Sequence, residues 1–282
     1  MKTKIIISRL VWYCIALFVF ASCGGKKAPS SSGENAPIDS SKQPLNISIY
    51  LDLSDRLKRP MAPSQMDRDI AIVNYLTEVV KNHAVAQKIL PSRDRIKVFF
   101  YPAPNNPKVS LLSQDLELDL SREQPADKKK KLLGFQQKFN TSLTKIYQAT
   151  LQGNNWIGSD IWGFFKKQVD TYCIKENARN IIVILTDGYL YYAPNKQQQG
   201  NNYSYLLPVT LSNPKSGLIV ARQGLDNLEV LMLEVNPYTP KHLGQMETIL
   251  QNWFNGMGVK KVYVGETDQP SNTSLIIEKF LK

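Results

Sequence analysis

Two short stretches of this chain carry side chains whose types and spacing could do chemistry. Asp52-Leu53-Ser54 and Thr186-Asp187-Gly188 each place a carboxylate and a hydroxyl directly after an apolar run, where a strand would end. A third group, Gly158-Ser159-Asp160, precedes a predicted helix. Taken singly, an Asp or Ser in such a place caps a helix or forms a turn, and Ser159 is a good N-cap whatever else it does. Placed together at the ends of adjacent central strands, they read as a site. The chain holds two histidines, His83 and His242, both on predicted helices, and no Ser/His/Asp or Cys/His set is legible. No P-loop and no G-x-G-x-x-G follows a strand. A phosphatase with an aspartate nucleophile would want a second Asp two residues after Asp52, and Ser54 stands there.

Tyrosines form a further group. Tyr189, Tyr191, Tyr192, Tyr203 and Tyr205 lie in or beside the polar stretch PNKQQQGNNYSY that follows Thr186-Asp187-Gly188. Tyr among Asn and Ser is binding-surface chemistry. A solvated insertion whose tyrosines pack on the domain is the competing reading.

The elements that must position these groups follow from periodicity. Asn46–Ser54 alternates, with Ile47, Ile49, Leu51 and Leu53 on one face, and predicts a strand. Residues 66–82 repeat apolar groups at helical spacing through Met66, Ile70, Val73, Leu76 and Val80. Ile96–Tyr101 predicts a strand, and after the turn PAPNNP an extended segment at Val109–Leu120 predicts its hairpin partner. Asp127 is the expected cap of a long helix to Leu151, whose opening cations Lys128–Lys131 read as a solvated first turn or as a contact with an anionic surface. A helix is predicted over Ile161–Lys175, which makes Cys173 a core residue. Ile181–Leu185 is apolar throughout, as a strand covered on both faces must be. Strands at Leu228–Val235 and Val262–Val264 and helices at 242–256 and 273–281 complete the chain. Alternating strands and helices predict a single α/β domain with a doubly wound, mostly parallel sheet and one antiparallel edge strand. In such sheets, sites lie outside the carboxyl ends of the strands.

The beginning of the chain reads as an address. Lys2, Lys4 and Arg9 precede the apolar run Leu10–Phe20, which is too short for a bilayer core and fits a secretory signal over residues 1–22. Phe20-Ala21-Ser22-Cys23 resembles the lipobox of bacterial lipoproteins, which implies lipidation of Cys23. Residues 24–44 hold almost nothing to bury and read as a tether, so that 23–44 is a lipid-anchored linker and 45–282 the folded part. Cys173 is then the single thiol left, and no internal disulfide can form. The chain of 282 residues carries a net charge of +11, of which the signal holds three cations and no acid, leaving +8. That balance suits anionic lipid or acidic partners, and export argues against nucleic acid.

Three pieces of the sequence, in order, resemble the von Willebrand factor A (vWA) domain: D-x-S at Asp52-Leu53-Ser54, the G-[ST]-D helix start at Ser159, and ARNIIVILTDG ending at Gly188. The resemblance implies a Rossmann-type sheet with a metal-ion-dependent adhesion site at its carboxyl end. It places Asp52, Ser54, Ser159 and Asp187 around Mg²⁺, a hard ion that prefers oxygen, with one position open to a partner's carboxylate. The family's second serine is replaced by Arg56, a fixed cation at the metal's edge. Either Asp55 compensates as an extra carboxylate, or Arg56 takes the metal's place between Asp52 and Asp187.

The sequence therefore predicts a non-enzymatic module, monomeric by itself and lipid-anchored in a bacterial cell envelope. It would bind another envelope protein through that protein's acidic side chain. No acidic residue directly follows Cys23, which favours the outer over the inner membrane. The alternatives are a metal-dependent hydrolase using the same carboxylates, and a domain for anionic envelope lipid or glycan.

Overall fold

The computed structural model describes residues 43–153, 158–190, 192, 194, 197–199, 202–204 and 222–282. The expected signal, lipobox and nearly all of the tether lie outside this set, as do Tyr191 and Tyr205; Tyr203 is placed by its backbone alone.

The elements run β1 (Leu45–Leu51), α1 (Gln65–Ala86), β2 (Arg95–Phe99), α2 (Pro107–Ser113), β3 (Glu117–Asp119), α3 (Pro125–Gln152), α4 (Ile161–Lys167), α5 (Val169–Cys173), β4 (Arg179–Leu185), β5 (Gln197–Gln199), β6 (Asn202–Ser204), β7 (Leu228–Val235), α6 (Leu243–Gly256), β8 (Lys261–Glu266) and α7 (Pro270–Leu281). Six strands form one sheet in the order β3-β2-β1-β4-β7-β8. Every neighbouring pair is parallel except β2 with β3 at the edge. β5 and β6 pair separately as an antiparallel hairpin. This is the doubly wound α/β architecture expected from the sequence.

Period-two alternation divides the core between two faces. Ile47, Ile49 and Leu51 of β1 and Ile181, Val183 and Leu185 of β4 pack with α1, α3 and α7. Tyr50, Ile182 and Ile184 face α4, α5 and α6, where Phe164, Phe165, Trp253 and Phe254 stack edge-on or tilted. Asn46 and Ser48 also point to this second face. They are buried because they serve the end of α5: Asn46 Nδ2 donates to the Cys173 carbonyl (2.8 Å) and Ser48 Oγ to that of Tyr172 (3.1 Å), satisfying carbonyls that a helix end leaves orphaned. Cys173 is fully buried, and burial pushes its thiol up to about 12.

Local signals account for the departures from expectation. The extended segment predicted from Val109 is instead helix α2, because Asn106 caps it by accepting from Lys108 N (3.0 Å) and Pro107 suits its first turn. Only Glu117–Asp119 of that segment pairs with β2. The long helix starts at Pro125, before Asp127, which sits in its first turn. Lys128 is not solvated: it is buried, and its Nζ donates to the carbonyls of Leu90 (2.7 Å) and Ser92 (2.8 Å). The helix predicted over 161–175 breaks at Gln168 into α4 and α5. Asp160, not Ser159, caps α4, accepting from Gly163 N (2.9 Å). A Cβ on Gly163 would lie 2.0 Å from that carboxylate, so the cap requires glycine there. No helix among the described residues is long and apolar enough to cross a membrane.

Candidate functional site

β1 and β4 are neighbours at the centre of the sheet, and the strand order reverses between them, since β1 leads to β2 on one side and β4 to β7 on the other. Such a reversal opens a crevice beyond the strand ends. Asp52 and Thr186 stand at those two ends. Asp52 N continues the ladder to the Leu185 carbonyl (3.0 Å), and its Oδ2 accepts from Thr186 Oγ1 (2.7 Å), so one buried carboxylate ties the two strand ends together. Its Oδ1 accepts from Ser54 N (2.9 Å), and the Ser54 hydroxyl donates to the same carboxylate. Asp187 follows in a tight turn, with its Oδ1 accepting from Tyr189 N (3.1 Å). Gly188 has φ +89°, and a Cβ there would meet Met246 Sδ at 2.6 Å; the Thr-Asp-Gly turn needs its glycine.

Both carboxyls are buried close to each other. Burial, and then the charge of Asp52, push Asp187 up to about 7. Burial also raises Asp52, against the pull of Arg56 and its hydroxyl donors.

Arg56 departs from the position expected for it. It is fully buried, and its charge favours the ionised forms of both Asp52 and Asp187, but the carboxylate it pairs with most closely is that of Asp69. Its Nε donates to the Asp52 carbonyl (2.8 Å), with Asp52 Oδ2 at 4.0 Å, and its Nη2 reaches Asp69 Oδ2 at 2.6 Å. Tyr147 Oη donates to the same Asp69 oxygen (2.5 Å). Gln65 Nε2 bridges Asp69 Oδ1 (2.9 Å) and Glu234 Oε2 (3.2 Å), and Arg68 grips Glu234 with two bonds of 2.7 and 3.1 Å. Glu234 has φ +67° at a bulge in β7, an irregularity that re-aims its side chain at this network. Arg56 Nη1 is buried without a hydrogen-bond partner among the described residues.

The guanidinium beside Asp187 is that of Arg59, 3.9 Å from Asp187 Oδ2. Its Nη1 also donates to the Asn236 carbonyl, and its Cζ lies 4.1 Å over the Tyr238 ring. Tyr189 packs on Tyr238 at 5.3 Å, and its Oη accepts from Tyr238 N (3.0 Å). Tyr238 is 63% exposed and Asp55 is exposed nearby, so the rim shows an arginine framed by two tyrosines.

Of the residues expected at the site, Asp52, Ser54 and Asp187 cluster at the switch point. Ser159 is buried and turned to Tyr50: the Tyr50 phenol donates to the Tyr101 carbonyl (2.7 Å), so Ser159 Oγ is the donor in their 2.7 Å bond. Tyr192 joins Gly158 in a single antiparallel bridge, which brings it beside Ser159. A largely apolar cavity of about 440 Å³, lined by Leu53, Phe100, Tyr101, Val109 and Ser159 among others, opens on this side. As a nest for Mg²⁺, the set is short of uncommitted oxygens. Both Asp52 oxygens accept from protein donors, the hydroxyls of Ser54 and Ser159 are engaged, and guanidinium groups stand near each carboxylate. Among the described residues, no three carboxylate, imidazole or thiol groups converge as ligands.

Asp69, Arg68, Glu234, Arg59 and Tyr238 escaped the sequence reading. One signal was present: Gln65, Arg68 and Asp69 continue the helical stripe of Ile72, Val73 and Leu76, so α1 carries polar residues on the face it buries.

No family model matches the chain, and no curated protein matches it. Among solved structures, the pilus adhesin SpaC from Lactobacillus rhamnosus GG is similar over 85% of this chain, at 12% identity and a TM-score of 0.44. The chain spans 30% of that protein's length.

Proposed function

We propose that this chain is a vWA-like protein-binding module, lipid-anchored at Cys23 in a bacterial cell envelope, and that it is not an enzyme. Its adhesion site is degenerate: arginine supplies the positive charge that Mg²⁺ supplies in the family. The observation that carries the reading is Arg59, 3.9 Å from Asp187 at the switch point and stacked on an exposed tyrosine. Arginine and tyrosine are the residues that most often anchor interfaces. The guanidinium fork suits a carboxylate, so an acidic side chain of another envelope protein is the expected occupant. The hydrolase reading lacks support in the geometry, because the site's carboxylates are tied to protein donors and no imidazole approaches them among the described residues.

The test is a photo-crosslinking amino acid placed at position 238 in living cells, with position 282 as a distant control. A discrete adduct at 238 that disappears with Arg59→Glu is expected. No adduct at 238, or one indifferent to Arg59→Glu, would refute the reading. Outer-membrane fractionation of wild type against Cys23→Ala checks the anchor separately.

A further inference from the structure

At the other end of the sheet, where the parallel strands begin, the chain builds a corner for which the proposed adhesion site has no use. The turn between α1 and β2 passes through Lys88 (φ +64°) and Ile89 (φ +42°), a backbone conformation that a β-branched residue rarely adopts. The turn is held from below by the buried Lys128 ammonium, which binds the carbonyls of Leu90 and Ser92. Ile89 thereby packs against the core while Leu90 is turned outward and left 58% exposed, with Val85 51% exposed beside it.

Cations surround this apolar tip. Lys88 and Arg93 are exposed on the turn, and Lys129 and Lys130 are exposed on the first turn of α3, which Lys128 docks against it. None of these four takes part in an ion pair among the described residues, whereas Lys131 is neutralised by Glu123 at 2.7 Å. The chain also enters the fold here: Leu45 N donates to Asp94 Oδ1 (2.8 Å), and Asp94 Oδ2 accepts from Ser92 Oγ (3.0 Å) at the end of the same turn. The described chain therefore enters the fold at this corner, through Pro44 and Leu45.

We propose that this corner is a membrane-contact surface, in which Leu90 and Val85 dip into a bilayer interface while Lys88, Arg93, Lys129 and Lys130 engage anionic lipid headgroups. Charge complementarity and the point of chain entry select a lipid surface as the occupant. A second, electrostatic contact is what a singly anchored protein needs for a fixed pose. The pose turns the Arg59 rim away from the bilayer, because the rim and the corner lie at opposite ends of parallel strands. The inference rests on the lipid-anchor reading only for the direction of approach.

The experiment is lysine-acylation footprinting of the full chain in vesicles, read by mass spectrometry. One set is phosphatidylcholine alone; the other holds about one-third phosphatidylglycerol. Lys108 and Lys241, exposed at the opposite end, serve as internal controls. The expected result is about threefold or greater protection of Lys88, Lys129 and Lys130 in the anionic vesicles, with the controls unchanged. Leu90→Ser/Arg93→Glu changes two exposed side chains, leaves those lysines readable, and should return their labelling to the neutral-vesicle level. Equal labelling of the three lysines in both vesicles overturns the proposal, and so does full protection in the double variant. Flotation with neutral vesicles reads the anchor independently: a chain that fails to float there refutes the anchor, while the footprint still decides the corner.

Discussion

Arg56 and Arg59 stand three residues apart, on and just after one 3-10 turn, Asp55–Lys58, yet they belong to different regions of the molecule. Arg56 points inward, fully buried, with its charge answered by Asp69 and its shape fixed by the Asp52 carbonyl. Arg59 points to the rim, 19% exposed, resting on an exposed tyrosine and only loosely paired with Asp187 at 3.9 Å. A fully buried guanidinium is held because removing its partner is costly; one at the rim with a long pair is held less firmly. The inner arginine thus shapes the site, and the outer one stands at the rim where the proposed partner would meet it.

The sharpest way to break this contrast is at Asp69. Asp69→Ala leaves Arg56 buried without its main counter-charge and Tyr147 without its acceptor, a loss of about 3–5 kcal/mol in denaturant unfolding. If the loss is below about 1 kcal/mol, Arg56 is not held as described.

Arg56→Ser comes next. It restores the D-x-S-x-S pattern of the vWA domains the sequence resembles and removes the cation, at about 2–4 kcal/mol, because Asp52 and Asp69 are left buried. Added Mg²⁺ should raise the melting temperature of this variant and leave that of the wild type unchanged, since a ligand that binds only the folded state stabilises it. Wild-type binding by calorimetry that Asp187→Ala abolishes would restore the resident-metal reading.

The third test is a pH titration. Asp187 is raised from 3.8 to about 7, so the folded state holds that proton more tightly than the unfolded chain. Its contribution is full below about pH 4 and is lost as pH rises through about 7. Asp115 and Glu117 are lowered and slope the other way, but they do so equally in an Asp187→Asn variant. The difference between wild type and Asp187→Asn should therefore change by about 3–4 kcal/mol from pH 4 to pH 8, with the wild type losing ground. Parallel curves would mean that Asp187 is not held beside a charged Asp52.

The same contrast explains what the sequence could and could not tell. Strand β1 and helices α1, α3 and α6 were legible because each carries its period through apolar residues, and β4 because it is an unbroken apolar run. The cluster of Asp52, Ser54 and Asp187 was legible because polar groups at strand ends break that period. The network beyond Asp52 was not. Asp69 is 13 residues from Arg56 on a helix, and Glu234 sits two strands from β1; only the packing of α1 and the bulge at Glu234 join them through Gln65 and Arg68. Charge complementarity suggested Asp52 and Asp187 for Arg56; Asp52 does lie 4.0 Å from it, but the turn from Ser54 to Lys58 brings its fork to Asp69, and it is Arg59 that comes within 3.9 Å of Asp187. The segment at 109–116 was misread as extended because its capping signal, Asn106-Pro107, also reads as an ordinary turn.

The smallest effect is expected at Arg59, and its smallness is the point. Arg59→Ala removes one hydrogen bond to the Asn236 carbonyl, a stacking contact with Tyr238 and a long ion pair to a carboxyl that is partly protonated near neutral pH. The pair is largely buried but long, and its carboxyl is about half neutral near pH 7, so it contributes about 1 kcal/mol at most, and a cation over a tyrosine about 0.5–1 kcal/mol. Solvent replaces much of both, because the side chain is already at the rim. The expected loss in denaturant unfolding is therefore about 1 kcal/mol or less, several-fold below that of Asp69→Ala on the inner side of the same turn. Crosslinking from position 238 should nevertheless vanish, because the group proposed to meet a partner is gone while the fold that presents it is intact. A stability loss as large as that of Asp69→Ala would move Arg59 into the structural network and leave the rim without its recognition group.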